Sequence, residues 1–134
     1  MQILPHQDPS QGPDEWFMGK VTLQPLKAIS ENSQLSMSSV HFEAGARSAW
    51  HTHPKGQTLY VTEGLGVVQK RGESVQTIKP GDVIWTEPDE EHWHGASANQ
   101  GMTHLAIQEV DDQGNFAHWG EKVTDEEYNQ QAEA

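Results

Sequence analysis

Short runs of residues with strand character make up most of this chain, and turn-forming residues separate them. Glycine, proline and aspartate mark the turns, as in "PKG" at 54–56 and "PGD" at 80–82. Eight runs between such turns have the composition of strands: 17–26, 35–42, 58–62, 66–69, 75–78, 83–86, 92–95 and 102–109. Many short strands spaced about 8–12 residues apart predict an all-β sandwich or barrel.

The two ends of the chain have a different pattern. Residues 1–15 are polar and rich in proline, aspartate and glutamine, which predicts an N-terminal arm. Thr124 stands three residues before Glu127 and forms a capping-box signature ahead of "DEEYNQQAEA". This pattern predicts a short peripheral helix, held mainly by Val123 and Tyr128. The chain therefore divides into an arm (1–15), a β-barrel domain (16–120) and a helix with a tail (121–134).

Composition and charge exclude several classes of function. The chain has 134 residues and a net charge of -12, from 20 acidic and 8 basic residues. This charge argues against binding to nucleic acid or to an anionic membrane surface. The sequence has no signal-peptide pattern and no run of about 18 apolar residues, so a cytoplasmic protein is expected. Because there is no cysteine, any metal must bind to nitrogen and oxygen atoms.

Two His-x-His pairs are the candidate chemistry. "HTHPKGQ" at 51–57 contains the first pair and "EHWHG" at 91–95 the second. Side chains alternate along a strand, so the two histidines of each pair project to one side. Gln57 has the same parity as Leu59 and Val61, which places its amide on the apolar face. A buried amide needs a partner, and a metal ion bound by histidines would provide one.

The spacing around these residues resembles the two cupin motifs. Residues 45–64 match the first motif at Gly45, His51, His53, Gln57 and Gly64. Residues 81–92, "GDVIWTEPDEEH", are similar to the second motif, which Gly81 opens and His92 ends as a ligand. The resemblance implies an all-β, single-domain cupin, a double-stranded β-helix or jelly-roll barrel, here with a short C-terminal helix.

The strings "WHTHPKGQTLYVTEG", "PGDVIW", "EHWHGAS" and "MTHLAIQE" narrow this resemblance. They are similar to those of small bacterial cupins that include manganese-dependent (R)-selective hydroxynitrile lyases. The resemblance implies a divalent metal ion, with Mn2+ first and Fe2+, Ni2+ or Zn2+ as alternatives. It places four metal ligands and three further cavity residues: His51, His53, Gln57, His92, and then His94, His104 and Gln108.

Gln57 is the informative departure from the common motif, which has glutamate at this position. Three neutral imidazoles and a neutral amide leave the full 2+ charge on an ion, so it is a stronger Lewis acid and is bound more weakly. This favours stabilisation of an anion over oxidative chemistry. Glu87 and Asp89 also depart from the second motif, which usually has proline and glycine there, and these changes concern turn geometry.

Parity assigns the remaining residues. His94 shares a face with His92, so it is a candidate proton acceptor, and His104 shares a face with Gln108 on the cavity side. Either histidine could instead orient the ligands. Ser38 and Val40 have a parity opposite to that of His41 and are assigned to the substrate cavity. His6, His41 and His118 are expected outside the site, and Trp50 and Trp93 on the outer face of the barrel.

These features predict an enzyme, a metal-dependent lyase that cleaves and forms cyanohydrins from an aldehyde and hydrogen cyanide. His94 or His104 would be its base. A metal-dependent dioxygenase and a non-catalytic cupin that binds a small molecule or sugar are the alternatives. The expected partner is a small-molecule substrate. Apolar residues on both faces of the segment 105–107 also predict a homodimer or homotetramer.

Overall fold

The all-β prediction is confirmed. A computed structural model describes residues 1–130, which form thirteen strands and one short helix. Eight strands have three or more residues and are close to the predicted runs: β3 Val21–Lys27, β4 Leu35–Phe42, β7 Gln57–Gly64, β8 Gly66–Lys70, β9 Gln76–Ile78, β10 Val83–Thr86, β11 His92–Ala96 and β12 Met102–Glu109. The other five have two residues each: β1 Ser10–Gln11, β2 Phe17–Met18, β5 Arg47–Ser48, β6 His51–Thr52 and β13 His118–Trp119.

The prediction of a single strand over 17–26 is wrong, because this segment contains two strands, β2 and β3. Gly19 interrupts it with a φ of 83°, a left-handed conformation that glycine adopts without steric cost. β2 therefore joins one sheet and β3 the other. Residues 10–11, in the segment assigned to the N-terminal arm, pair with β3 at the edge of its sheet.

Two sheets build a jelly-roll barrel. One has the order β1-β3-β4-β12-β7-β10. The other has the order β13-β6-β11-β5-β2, with β8 paired to β11 and β9 to β8. The inward side chains of both sheets form the main core, which includes Phe42, Leu59, Val61 and Met102, each fully buried. The histidines of the two His-x-His pairs are buried beside this core, where His94 packs against Phe42.

A second, smaller core lies outside the barrel and explains the C-terminal segment. Trp50 and Trp93 face outward, as their parity predicts, and pack with Val123 and Tyr128. Thr124 is the N-cap of the helix α1, Asp125–Asn129, and the predicted capping box with Glu127 is present. Arg47 donates to the Val123 carbonyl at 2.8 Å and to Asp125 at 2.9 Å. The end of the predicted helix, 131–134, lies outside the described residues.

The outer face of the first sheet carries exposed apolar side chains. Tyr60, Val83 and Trp85 are 41%, 64% and 53% exposed, and Val83 pairs with Tyr60 across β7 and β10. The homodimer or homotetramer stays a prediction, and this exposed apolar face is a candidate for its interface. Among residues 1–130, no helix is long and apolar enough to cross a membrane.

Candidate metal centre

The strand register brings the two His-x-His pairs together. His51 on β6 lies directly opposite His92 on β11, and their ring centroids are 4.3 Å apart. His53 follows β6, with its ring centroid 5.2 Å from that of His92. One nitrogen from each of the three rings can be chosen so that all lie within 4.8 Å of one another. All three side chains are buried, so the cluster is a compact pocket of imidazoles.

Hydrogen bonds fix which nitrogen each ring offers. The Nδ1 atoms of His51, His53 and His92 lie 2.8–2.9 Å from the main-chain carbonyls of Ala49, Phe116 and Glu90. A carbonyl can only accept, so each Nδ1 carries the hydrogen and each Nε2 has a free lone pair. The Nε2 atoms of His53 and His92 are buried with no hydrogen-bond partner in the described part of the chain.

The loops that connect these ligands are tied to each other. Gly56, with a φ of 76°, makes the turn between His53 and Gln57. The His53 carbonyl accepts hydrogen bonds from the main-chain nitrogens of Gly56 and Asp89. Asp89 has a φ of 63°, so this aspartate adopts the left-handed conformation at the position where the second motif usually has glycine. The two motifs therefore hold their histidines in one frame.

Gln57 adds an oxygen atom to the cluster. Its side chain is 4% exposed, and its Nε2 donates to Gln108 Oε1 at 2.9 Å. Its Oε1 is buried and has no hydrogen-bond partner within residues 1–130. An unpaired buried carbonyl oxygen costs roughly 1–3 kcal/mol. Coordination of a cation by this oxygen and by the free imidazole nitrogens would remove that cost, so the residues present fit a divalent metal ion.

Burial also keeps these imidazoles neutral, which is the form that binds metals. Burial lowers the pKa of His51 well below 6.5, and the neighbouring His92 and His53 lower it further. Burial lowers the pKa of His53 to about 4, although its bond to the Phe116 carbonyl opposes the shift. The pKa of His92 is lowered for the same main reason, burial. At neutral pH the three rings are therefore unprotonated, and a cation does not have to displace a proton from them.

His94 and His104 form a second pair beside the cluster. His94 Nδ1 and His104 Nε2 are 3.0 Å apart, and one hydrogen is shared between them. The remaining nitrogens, His94 Nε2 and His104 Nδ1, are buried and lack a hydrogen-bond partner in the described chain. Burial lowers the pKa of His94 well below 6.5, with further lowering by His104, and lowers that of His104 to about 4. Both rings lie against Phe42, an apolar surface that contributes to this desolvation.

A cavity of about 110 Å³ opens onto the cluster. His94 and three of the candidate ligands, His51, His53 and Gln57, line its polar side. Its other lining residues are apolar or small, apart from Gln108: Trp16, Phe17, Leu23, Ser38, Val40, Ala106, Phe116 and Trp119. Ser38, Val40 and Gln108 thus line this cavity, and their assignment to a substrate site stays a prediction. His104 is not among the lining residues and contacts His94.

The aromatic wall of this cavity is not predicted from the sequence. Trp16 and Trp119 stack with ring centroids 4.8 Å apart, and Trp119 also stacks on His51 at 4.6 Å. Phe116 packs edge-on against Trp16. These residues precede β2 or belong to the segment around the two-residue strand β13, where no alternation can be read. The three histidines that were expected outside the site lie away from the cluster. His6 and His118 are exposed, and His41 forms a hydrogen bond with Thr103.

We expect the metal-free protein to lose stability on acidification. The unfolded imidazole has a pKa near 6.5, whereas the folded pKa of His53 and of His104 is about 4. The unfolded state thus binds more protons between these values, so stability is complete above pH 6.5 and falls as the pH drops towards 4. The free energy of unfolding should decrease by at least about 1 kcal/mol between pH 7.5 and 5. Urea midpoints measure this change, and an unchanged midpoint would contradict it.

The comparisons with known proteins agree with this architecture. The family model of the cupin domain matches residues 38–107. The chain belongs to the cupin family. This cupin is 52% identical to the (R)-mandelonitrile lyase of Granulicella tundricola over 118 residues, which cover 88% of this chain and 89% of that protein. His51, His53, Gln57, His92 and His94 all lie within the matched cupin domain.

Solved structures show the same barrel. A cupin-like protein from Thermotoga maritima is 34% identical, with a TM-score of 0.83 over 97% of this cupin and 96% of that chain. A cupin-2 domain protein from Rhodospirillum rubrum has a TM-score of 0.71 at 16% identity, covering 95% and 82% of the two chains. The second similarity shows the fold alone.

Proposed function

We propose that this cupin is a divalent-metal-dependent lyase that cleaves cyanohydrins to an aldehyde and hydrogen cyanide, and that also catalyses the reverse addition. One observation carries the proposal. Three neutral imidazoles and a neutral amide oxygen converge next to a second, hydrogen-bonded histidine pair at one cavity. The 52% identity to a protein named (R)-mandelonitrile lyase supports the same reaction class.

The Nε2 atoms of His51, His53 and His92 and the Oε1 atom of Gln57 would hold the ion. We propose Mn2+, while Fe2+, Ni2+ and Zn2+ are compatible with the same imidazole and carbonyl ligands. None of the four ligands carries a negative charge, so the donor set leaves the charge of the ion uncompensated. When bound, such an ion supplies Lewis acidity, which lowers the pKa of a hydroxyl group that it contacts.

We assign the proton transfer to His94. With Nδ1–H donated to His104 Nε2, its Nε2 lone pair faces the cavity and can accept the hydrogen of the substrate hydroxyl. The carbonyl double bond then forms as the bond between the carbinol carbon and the nitrile carbon breaks. The leaving cyanide takes the same proton from His94, which restores the neutral ring. Because burial lowers the pKa of His94, the protonated ring returns its proton readily.

The aromatic wall supports an aryl substituent on the substrate. The rings of Trp16, Trp119 and Phe116 form an apolar aromatic surface of the cavity next to the imidazole cluster. An aromatic ring packed on such a surface gains about 0.5–1.5 kcal/mol beyond the burial of its area. The cavity therefore suits a cyanohydrin of an aromatic aldehyde.

The test compares chelator-treated protein with the same protein reloaded with Mn2+, using racemic mandelonitrile as substrate. We expect benzaldehyde release by the reloaded protein to exceed that by metal-free protein and by free Mn2+ at least about a hundredfold, the effect of a positioned base. Chiral chromatography should show consumption of one enantiomer. Release no faster than with free Mn2+ would rule out this activity. Oxygen consumption with flavonols or diketones would instead indicate a dioxygenase.

A further inference from the structure

A row of three hydrogen-bonded side chains leads from the barrel wall to the metal centre. Ser36 on β4 lies directly opposite Gln108 on β12, and both side chains point inward. Gln108 Nε2 donates to Ser36 Oγ at 2.9 Å, and Gln57 Nε2 on β7 donates to Gln108 Oε1 at 2.9 Å. The row therefore crosses three adjacent strands and ends at a candidate metal ligand.

The direction of every bond in this row follows from its first member. Ser36 Oγ lies 3.4 Å from the main-chain carbonyl of Gln108, which can only accept a hydrogen bond. The serine hydrogen is directed to this carbonyl, and the serine oxygen remains an acceptor for Gln108 Nε2. Gln108 then turns its Oε1 towards Gln57. Gln57 must therefore donate from its Nε2 to this oxygen, and its own Oε1 points towards the histidines.

We propose that Ser36 is a positioning residue that, through Gln108, makes Gln57 present its amide oxygen to the metal centre. The inference rests on the proposed metal site. A primary amide has almost the same shape in either orientation, so packing alone does not select one. In the wrong orientation, Gln57 would point two N–H groups at a cation and lose its ligand atom. The neutral oxygen ligand that distinguishes this centre thus depends on a hydroxyl group on another strand.

The Ser36→Ala variant tests the row through metal affinity, measured on the full chain by competition with a coloured chelator for Mn2+. We expect its affinity to fall about tenfold, as when an outer hydrogen-bond partner of a metal ligand is lost. Ser39→Ala is the matched control, because Ser39 is on the same strand with the opposite parity, outside the cavity lining, and makes no bond in the row. Ser39→Ala should bind Mn2+ like the wild type, and Ser36→Thr should restore the affinity.

A second background separates orientation from general packing. In Gln57→Glu, both ends of the side chain are oxygen atoms, so there is no wrong orientation to prevent. Ser36→Ala should therefore weaken Mn2+ binding in the wild-type background and leave it unchanged in the Gln57→Glu background. Circular dichroism of the metal-free variants checks that each is folded.

The possible failures are distinguishable. An equal loss in both backgrounds would overturn the positioning role, because it would mean that Ser36 acts on the fold. Affinity of Ser36→Ala equal to that of Ser39→Ala would overturn it as well, while the metal site stands. If the wild type binds no divalent ion, the proposed function and this inference both fail.

Discussion

Replacing His92 by alanine is expected to weaken the binding of a divalent ion by more than about a hundredfold, the upper range for losing only an outer partner of a ligand. His92 lies opposite His51 in the register, and its ring is the one that β11 contributes to the three-histidine cluster. Its removal leaves two imidazoles on the first motif and one amide oxygen. The proposed metal-dependent lyase activity should be lost with the ion.

Elemental analysis after dialysis measures this loss, and thermal unfolding with added Mn2+ provides a second reading. An ion at about a hundred times its dissociation constant stabilises the wild type by roughly 2.7 kcal/mol, whereas the variant should gain far less. His41→Ala is the control, since His41 bonds Thr103 on the outer face of the sheet. A His92→Ala variant that retains a full equivalent of tightly bound metal would show that the ligand set is wrong.

The alternation of apolar and polar residues along the sequence was sufficient to predict most strands of the barrel and the side of the strand on which the histidines lie. A spacing of two residues on a strand puts His51 and His53, and likewise His92 and His94, on one side, and all four are buried around one cluster. The inward position of Gln57 follows from its parity with Leu59 and Val61, which are fully buried. These conclusions need only the two-residue period of a strand, which is a local property.

The features that depend on strand pairing could not be obtained this way. The wall of Trp16, Phe116 and Trp119 is built from a loop and from two-residue strands, which have no readable period. Ser36 is one of several serines in "SQLSMSS", and only the β4–β12 register shows that it faces Gln108. The long predicted strand at 17–26 was divided because the left-handed turn at Gly19 sends its halves to different sheets.

The tautomers of the ligands are a further result of tertiary structure. His53 Nδ1 bonds the carbonyl of Phe116, which is 63 residues away in the sequence. This bond leaves Nε2 as the nitrogen with a free lone pair, which is the atom proposed to bind the ion. The same loop thus supplies an aromatic ring to the cavity and a carbonyl to a candidate metal ligand. A change in the segment around Phe116 should therefore affect substrate binding and metal binding together.

Replacing His94 by glutamine is expected to lower the turnover number for mandelonitrile by about 10²–10⁴-fold, which is the usual contribution of a positioned base. Glutamine can still hydrogen-bond His104, but it cannot accept a proton from the substrate. Because His94 is not one of the proposed ligands, Mn2+ affinity should stay close to that of the wild type. This separation of turnover from metal content distinguishes His94 from His92.

His104 provides the finer test of the same mechanism. Its Nε2 lies 3.0 Å from His94 Nδ1, and we assign it the role of accepting the Nδ1 hydrogen so that the Nε2 lone pair of His94 faces the cavity. An amide oxygen at position 104 can accept this hydrogen, whereas an aliphatic side chain cannot. His104→Gln should therefore retain much of the activity, and His104→Leu should lose about as much as His94→Gln. Steady-state kinetics with measured metal content decide the matter. Full activity in His94→Gln would show that another residue is the base. Equal activity in the two His104 variants would exclude control of the His94 tautomer by His104, because both variants remove the imidazole but only His104→Leu removes the acceptor.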